Sequence, residues 1–468
     1  MATNSGPPRG GRSGPHRGGR RPVRDDRRRS GGGGWSSRPQ RFAEDRREPP
    51  PPQPPPPPAP AARLVGLEEI DLTIDKLVAG GDGLGRFEGI AIFVPLSAPG
   101  DRLRVRLTDR RPDFGRAEIV EILTPGPGRR TPPCPHFAAC GGCSLQHLDD
   151  RRQLAYKVAA MREALAHIGH VHVPETVPVI AGDAWGYRLR TQLHTGKTER
   201  GPAVGYHARG SRELVAVGAC PVLVPELEAC LEALPGTLGE TAPPRLDLAA
   251  GDGASLSSAP VVERLPHGPI QLTAGNFTYR FDARCFFQTH RGLLPDLLEQ
   301  AIGPFQGAEA FDLFAGVGLF TLPLARRYQR VVAVESERVA VRFARQNVRA
   351  AEGISRVSVE NRSVEGFVDA LPEAADRVLV DPPRGGLPLV VRTALVAKRP
   401  RRLTYISCHA ATLARDLRAL QHGFAIESLC FLDLFPQTGH LEAVVQMTAL
   451  DATPSAASKA APSATCDG

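Results

Sequence analysis

No stretch of the 468 residues is apolar enough to form a membrane helix or the hydrophobic centre of a signal peptide. A cytoplasmic chain with no membrane partner is expected. Net positive charge is missing from most of the chain as well. The net charge is +8, yet residues 1–62 hold 13 Arg against 5 acidic residues, and the remainder carries 45 basic and 45 acidic residues. A polyanion site in the folded body must therefore be a local patch. An even set of cysteines is also absent. Of the nine, Cys134, Cys140 and Cys143 cluster, while Cys220, Cys230, Cys285, Cys408, Cys430 and Cys466 are scattered. That pattern disfavours a disulfide framework and suits a metal site plus free thiols.

What is present divides the chain into segments of different character. Residues 1–63 are Arg, Gly and Pro with few large apolar side chains, a composition that cannot offset its ordering entropy. A disordered tail is expected there, able to cling to RNA phosphates or simply to solubilise. Residues 449–468 are expected to be a second disordered tail. From residue 64 to 124 short alternating strands follow at barrel-like spacing: Glu69–Ile74, Ile90–Val94, Asp101–Leu107 and Gly115–Ile122. Strand alternation places Arg102, Arg104 and Arg106 on one face, continued by Arg110 and Arg111. A solvated face would look similar, but the extended basic edge favours RNA contact. This segment resembles a TRAM domain, a five-stranded RNA-binding barrel.

Residues 125–285 read as a central α+β domain. Cys134, Cys140 and Cys143 lie within ten residues on a glycine-containing loop, poised around a metal centre. Cys220, which also precedes a proline, is the best fourth ligand. Four thiolates fit an iron–sulfur cluster or tetrahedral zinc, and the spacing leans toward the cluster. His136 and His147 are possible ligands only under zinc. Residues 149–169 have apolar positions at helical spacing and a glycine stop. In the strands beyond, Arg188, Arg190, Arg209 and Arg212 interleave with Tyr187 and Tyr206, a mixture suited to phosphates and bases.

From residue 286 to 448 strands and helices alternate, the pattern of a parallel sheet with covering helices. Near its start an apolar run ends in Asp312, followed by a turn with Gly316 and Gly318 and an apolar helix. Val331–Val334 then ends in Glu335, a carboxylate placed to accept from ribose hydroxyls. The turn lacks the third glycine of a pyrophosphate site, which favours S-adenosylmethionine over a dinucleotide. Asp381-Pro-Pro-Arg384 and Cys408 each end a strand, and Glu442 begins the last one. A thiol and a carboxylate beside such a cofactor make a mechanism. The C5 carbon of uracil is too poor a nucleophile to take a methyl group directly. Sulfur addition at C6 turns the ring into an enolate, and a base must later remove the C5 proton. A thiol of ordinary pKa, about 8.5, needs a positive or hydrogen-bonding neighbour to react.

Phe287-Gln288, Asp312–Gly318, Glu335, Asp381–Arg384, Ser407-Cys408, Ala411–Asp416, Phe435–Thr438 and His440–Glu442 together resemble the RNA uracil-C5 (5-methyluridine) methyltransferase family. The match is best to its subgroup with a TRAM barrel and a four-cysteine 4Fe-4S cluster. The resemblance implies three folded parts: the barrel, a central iron–sulfur domain and a Rossmann-like methyltransferase domain. It implies Cys408 as nucleophile and Glu442 as base. Gln288, Phe314, Glu335 and Asp381 would line the S-adenosylmethionine pocket, and Cys134, Cys140, Cys143 and Cys220 would hold the cluster. It implies an RNA partner, ribosomal favoured over transfer RNA, and a helix 149–169 that packs on the catalytic domain. A monomer is expected.

Three positions depart from the family's pattern: Leu319, His409 and His290 stand where asparagine is common. An asparagine at 319 would touch the cofactor, a role open to Asn361 instead. Methylation of another base, such as cytosine C5, is the competing enzymatic reading. An inactive RNA-binding iron–sulfur protein is the competing non-enzymatic one. Radical S-adenosylmethionine chemistry is disfavoured, because four thiols would leave no open iron.

Overall fold

The computed structural model describes residues 64 and 66–450, except 200, 239–241 and 355. The expected tails, 1–63 and 449–468, therefore lie outside the described residues apart from Ala449 and Leu450. No helix among the described residues is long and apolar enough to cross a membrane.

Five strands close a barrel in the order β1-β2-β3-β5-β4: β1 (Glu69–Leu77), β2 (Gly83–Phe87), β3 (Ile90–Val94), β4 (Arg102–Arg110) and β5 (Phe114–Thr124). Alternate residues of β1 and β4 turn inward, so Ile70, Leu72, Ile74, Leu103, Val105 and Leu107 fill the interior. One strand, β2, was not among those expected from the sequence. Its glycines are needed for closure. A Cβ at Gly83 would meet the Ser97 hydroxyl at 1.9 Å, and one at Gly85 would meet the Thr73 carbonyl at 2.3 Å.

The basic face of β4 also differs. Arg106 is opposite Glu69, and Arg104 is opposite Asp71 on β1 and Glu121 on β5. Arg106 bonds Glu69 at 2.8 Å, and Arg104 bonds Asp71 and Glu121 at 3.1 and 3.3 Å. The arginines are present on one face as expected, but neighbouring strands supply counter-charges to Arg104 and Arg106.

Helix α1 (Asp150–His167) follows, capped by Asp149, whose carboxylate accepts from Arg152 N. Its Met161, Ala164 and Leu165 join the core of the C-terminal domain rather than that of the central sheet. After the short edge strand β6 (Val179–Ile180), the central sheet has the order β11-β10-β7-β8-β9. Its strands are β7 (Arg190–Thr198), β8 (Gly201–His207), β9 (Leu214–Ala216), β10 (Arg245–Ala250) and β11 (Leu256–Ala259). Helix α2 (Pro225–Thr237) covers it with Leu227, Leu231 and Leu234. The hairpin β12 (Ile270–Ala274) and β13 (Phe277–Phe281) leads into the last domain.

There, an eight-stranded sheet has the order β16-β15-β14-β17-β18-β20-β19-β6. In chain order the elements are α3 (Leu294–Ile302), β14 (Gly307–Leu313), α4 (Thr321–Ala325), β15 (Tyr328–Glu335), α5 (Arg338–Ala350) and β16 (Arg356–Asn361). Then come α6 (Val364–Phe367), β17 (Arg377–Val380), α7 (Leu389–Lys398), β18 (Arg402–Ser407), α8 (Ala410–Leu420), β19 (Phe424–Leu432) and β20 (Glu442–Ala449). Strands β14 to β18 run parallel, and β20 is antiparallel to both its neighbours. Val, Ile and Leu on both faces bury the sheet between α3, α4 and α5 on one side and α1, α7 and α8 on the other. The chain order reverses beside β14, so its C-terminal end opens into the crevice where such sheets bind ligands.

Candidate active site and cysteine centre

Four chain segments meet at that crevice. Strand β14 delivers Asp312 and then turns sharply at Phe314, whose φ of +67° is unusual for a bulky residue. Gly316 and Gly318 also have positive φ, and nothing lies within 4 Å of where a Gly316 Cβ would stand. The turn leans on β15: Gly316 N donates to Glu335 at 2.9 Å, and Glu337 N donates to the other Glu335 oxygen at 2.7 Å. The Ser336 hydroxyl also donates to that second oxygen, at 3.4 Å, so about one of the carboxylate's roughly four acceptor positions remains, on the oxygen that Gly316 bonds. Asn361 does not reach toward a ligand with its amide nitrogen. It bonds the carbonyls of Glu335 and Ser336 and steadies the loop from behind. Leu319 is buried, and its carbonyl accepts from the Tyr279 hydroxyl at 2.8 Å.

Asp312 is fully buried, with one oxygen bonded by the Thr321 hydroxyl and the other without a partner. Burial, and secondarily Glu335, pushes its carboxyl up to about 7. Gln288 donates to Asp381 at 3.0 Å across the crevice. Asp381 is also pushed up to about 7, by burial and then by Asp312. The open space above Gly316, the orphaned Asp312 oxygen and the exposed part of Glu335 fit a nucleoside cofactor in this cradle.

Cys408 follows β18 directly. Ser407 pairs with Ala443 of β20, so antiparallel register carries Cys408 toward Glu442, the residue before Ala443. Glu442 is 3% exposed. Burial, then the nearby Asp381, raises its carboxyl well above the ordinary range. Burial, and next Glu442, pushes the Cys408 thiol up to about 12, while a hydrogen bond and the charge of Arg384 oppose this. Arg384 is thus the positive neighbour that the chemistry needs. Its place in Asp381-Pro-Pro-Arg384 was the available signal. His440 is a further neighbour: its ring lies beside the Cys408 backbone, and burial takes it down to about 4. His409 is not a free ring at the site, because its Nδ1 accepts from Thr412 N and caps α8. His290 is buried and stacked on Tyr187 at 4.8 Å.

The four cysteines singled out in the central region, Cys134, Cys140, Cys143 and Cys220, line one small cavity. Gly142 N donates to the Cys140 sulfur at 3.4 Å and the Tyr206 hydroxyl to the Cys220 sulfur at 3.7 Å. Burial pushes the Cys143 thiol up to about 12. Among the described residues no three His, Cys, Asp or Glu converge at metal-binding spacing, so the thiols surround a common space without closing on one point. A soft donor set of four sulfurs around one cavity nevertheless fits a metal centre. His136 also lines the cavity, whereas His147 bonds the Ser97 carbonyl at 3.1 Å.

Three of the basic and aromatic residues expected on an RNA face turn inward instead. Arg188 and Tyr206 line the cysteine cavity. Tyr187 is 3% exposed and donates to the Pro436 carbonyl at 2.8 Å. Arg209 bonds the Cys143 carbonyl at 2.7 Å, leaving Arg212 as the exposed arginine of the group. The cysteine loop covers this end of the sheet and claims the side chains beneath it.

Strand order, the glycine turn after β14 and the carboxylate that ends β15 define an S-adenosylmethionine-dependent methyltransferase fold. The tRNA (Uracil-5-)-methyltransferase family matches residues 267–450, and the TRAM domain matches residues 64–120. The chain is 34% identical to the 23S rRNA (uracil(1939)-C(5))-methyltransferase RlmD of Pectobacterium atrosepticum, over 82% of this chain and 94% of that protein. It is 35% identical to the protein of the same name from Klebsiella pneumoniae strain 342, over 80% and 95%. A Pyrococcus abyssi tRNA (uracil-54, C5)-methyltransferase solved with S-adenosyl-L-homocysteine shares the fold, with a TM-score of 0.63 and 24% identity. The match covers 81% of this chain and all of that one. The protein belongs to the RNA uracil-C5 methyltransferase family.

Proposed function

We propose that the protein methylates C5 of a uridine in structured RNA, ribosomal RNA in preference to transfer RNA, as a cytoplasmic monomer. The names of its relatives, similar over nearly their whole length, support the ribosomal substrate. Gln288, Phe314, Glu335 and Asp381 hold S-adenosylmethionine, which supplies an electrophilic methyl group when bound. Cys408, as thiolate, adds to C6 of the uracil, and the ring electrons move to make C5 nucleophilic. Once C5 carries both methyl and hydrogen, the Glu442 carboxylate takes the proton. The electron pair left behind re-forms the C5–C6 double bond and expels the sulfur. Arg384 offsets the thiolate charge, and the proton on Glu442 returns to water.

The observation that carries this reading is the register that brings Cys408 and Glu442 to one sheet edge beside Arg384. Incubation with RNA containing 5-fluorouridine and S-adenosylmethionine tests it, because fluorine at C5 cannot leave as a proton. An adduct that survives denaturation and maps to Cys408 is expected, and a Cys408→Ala protein must form none. No adduct with the intact protein would remove the mechanism.

We further propose that Cys134, Cys140, Cys143 and Cys220 hold a 4Fe-4S cluster, supported by their shared cavity and by the donors to two of the sulfurs. Hydrogen bonds to cluster sulfurs tune the centre's potential. Anaerobically purified protein is expected to be brown and to contain iron; zinc without iron would refute the cluster.

A further inference from the structure

The segment between β19 and β20, Asp433–Leu441, ends at Glu442 and has no regular secondary structure. It is nevertheless held from four directions. Lys157 of α1 pairs with Asp433 and donates to the Phe435 carbonyl at 3.0 Å. From the central region, the Tyr187 hydroxyl donates to the Pro436 carbonyl at 2.8 Å. Ser144 N and Leu145 N of the cysteine loop donate to the Gln437 carbonyl at 2.9 and 3.0 Å, and Gly439 N donates to the Ser144 hydroxyl at 3.0 Å. The barrel reaches it where Gly80 and Gly439 form a bridge.

Gln437 is the hub. It is fully buried, with φ of +66°. Its N donates to the Gln153 side-chain oxygen at 3.1 Å, and its own side-chain oxygen accepts from Gln153 Nε2 at 2.9 Å. Its Nε2 donates to Asp150 at 2.8 Å. This reciprocal amide pair joins α1 to the segment and satisfies a backbone N–H that no strand or helix serves. None of these groups belongs to the crevice itself. The segment's far end does: the His440 ring lies beside the Cys408 backbone, and Glu442 follows two residues later.

We propose that Gln437, locked by Gln153 of α1 and by Ser144 and Leu145 of the cysteine loop, is a positioning residue that sets where Glu442 stands for C5 proton removal. The inference rests on the roles proposed above for Cys408 and Glu442. It separates two halves of the reaction. Sulfur addition depends on Cys408, fixed by β18. Proton removal depends on Glu442, whose approach is fixed by this segment. Loosening Gln437 should therefore leave RNA bonded to the enzyme, methylated but slow to depart.

Gln437→Gly tests this cleanly, since glycine adopts a positive φ without strain and only the side chain is removed. Gln153→Ala removes the same lock from the α1 side. For each folded variant, turnover should fall about tenfold to a hundredfold, the scale of a small misplacement, and KM for RNA should fall with it, because RNA held as the adduct saturates the enzyme at lower concentration. Ordinary uridine RNA with S-adenosylmethionine should also give a denaturation-resistant adduct that the unaltered protein does not accumulate. A fall in turnover without that adduct, in both variants, would overturn the proposal, as would unchanged turnover. All three proteins are tested in parallel on 5-fluorouridine RNA. If even the unaltered protein forms no adduct there, the chemistry itself has failed, and the positioning role falls with it.

Discussion

At Cys408 two opposing influences set the reactivity of one sulfur. Burial and the Glu442 carboxylate favour the thiol, while Arg384 favours the thiolate. Glu442 is itself raised by burial and Asp381. The competent pair, thiolate with carboxylate, is thus the minor form in the ligand-free protein near neutral pH. Its population grows as pH rises, so kcat/KM should climb through neutral pH into the alkaline range. Glu442→Gln removes one of the charges that raise the thiol. Its Cys408 should alkylate faster with iodoacetamide at fixed pH, by about tenfold for each unit of pKa recovered, and Arg384→Ala should alkylate more slowly. Equal rates in all three proteins would refute this balance.

Asp312 carries a different consequence. Its folded pKa, about 7, lies above the ordinary 3.8. The contribution to stability is therefore fully present below the ordinary value and lost as pH rises through about 7. Asp312→Asn, which keeps a neutral oxygen for Thr321, should raise Tm relative to the unaltered protein more at pH 8 than at pH 5. The positions proposed for the chemistry and the cofactor were legible in the chain because each sits where a strand ends or begins. Asp312, Asp381, Cys408 and Glu442 all follow that rule, and an apolar run marks each strand. Gln437 was visible only as part of a motif. Its role depends on partners nearly 300 positions away, 284 for Gln153 and 287 for Asp150, and no local pattern reports them.

Among the elements, α1 belongs by packing to the C-terminal domain although the central sheet follows it in the chain. Its Lys157 is 4% exposed and paired with Asp433. Removing one partner of a buried pair strands the other charge, at a cost of about 3–5 kcal/mol. Lys157→Met should show a loss of that order in urea unfolding, and Lys157→Met with Asp433→Leu should recover most of it. If the double variant is as unstable as the single one, the pair is not the source. Helix α1 was readable from its apolar spacing, but the inward turn of Arg188 and Tyr206 was not. Strand alternation gives two faces without saying which of them a loop will cover. The cross-strand pairs of Arg104 and Arg106 were hidden for a related reason, since they need the register of β1 and β5 against β4.

For the whole molecule, the distribution of charge matters most. The excess of +8 lies in residues 1–62, while Arg104 and Arg106 of β4 are already matched by carboxylates. Long-range attraction to RNA should thus come largely from the tail. Deleting residues 1–62 should leave turnover on saturating RNA intact while flattening the salt dependence of RNA affinity. Unchanged affinity at low salt would refute the tail's role.

The meeting of Gly80 and Gly439 sets a limit on how such a protein can be rebuilt. A methyl group added at 439 would fall 2.2 Å from the Gly80 carbonyl carbon, so barrel and methyltransferase domain touch main chain to main chain. A foreign barrel grafted onto this enzyme would have to offer an equally bare ridge at that spot. The barrel is fitted against the segment that leads into Glu442, so exchanging it would disturb the approach to the proposed base.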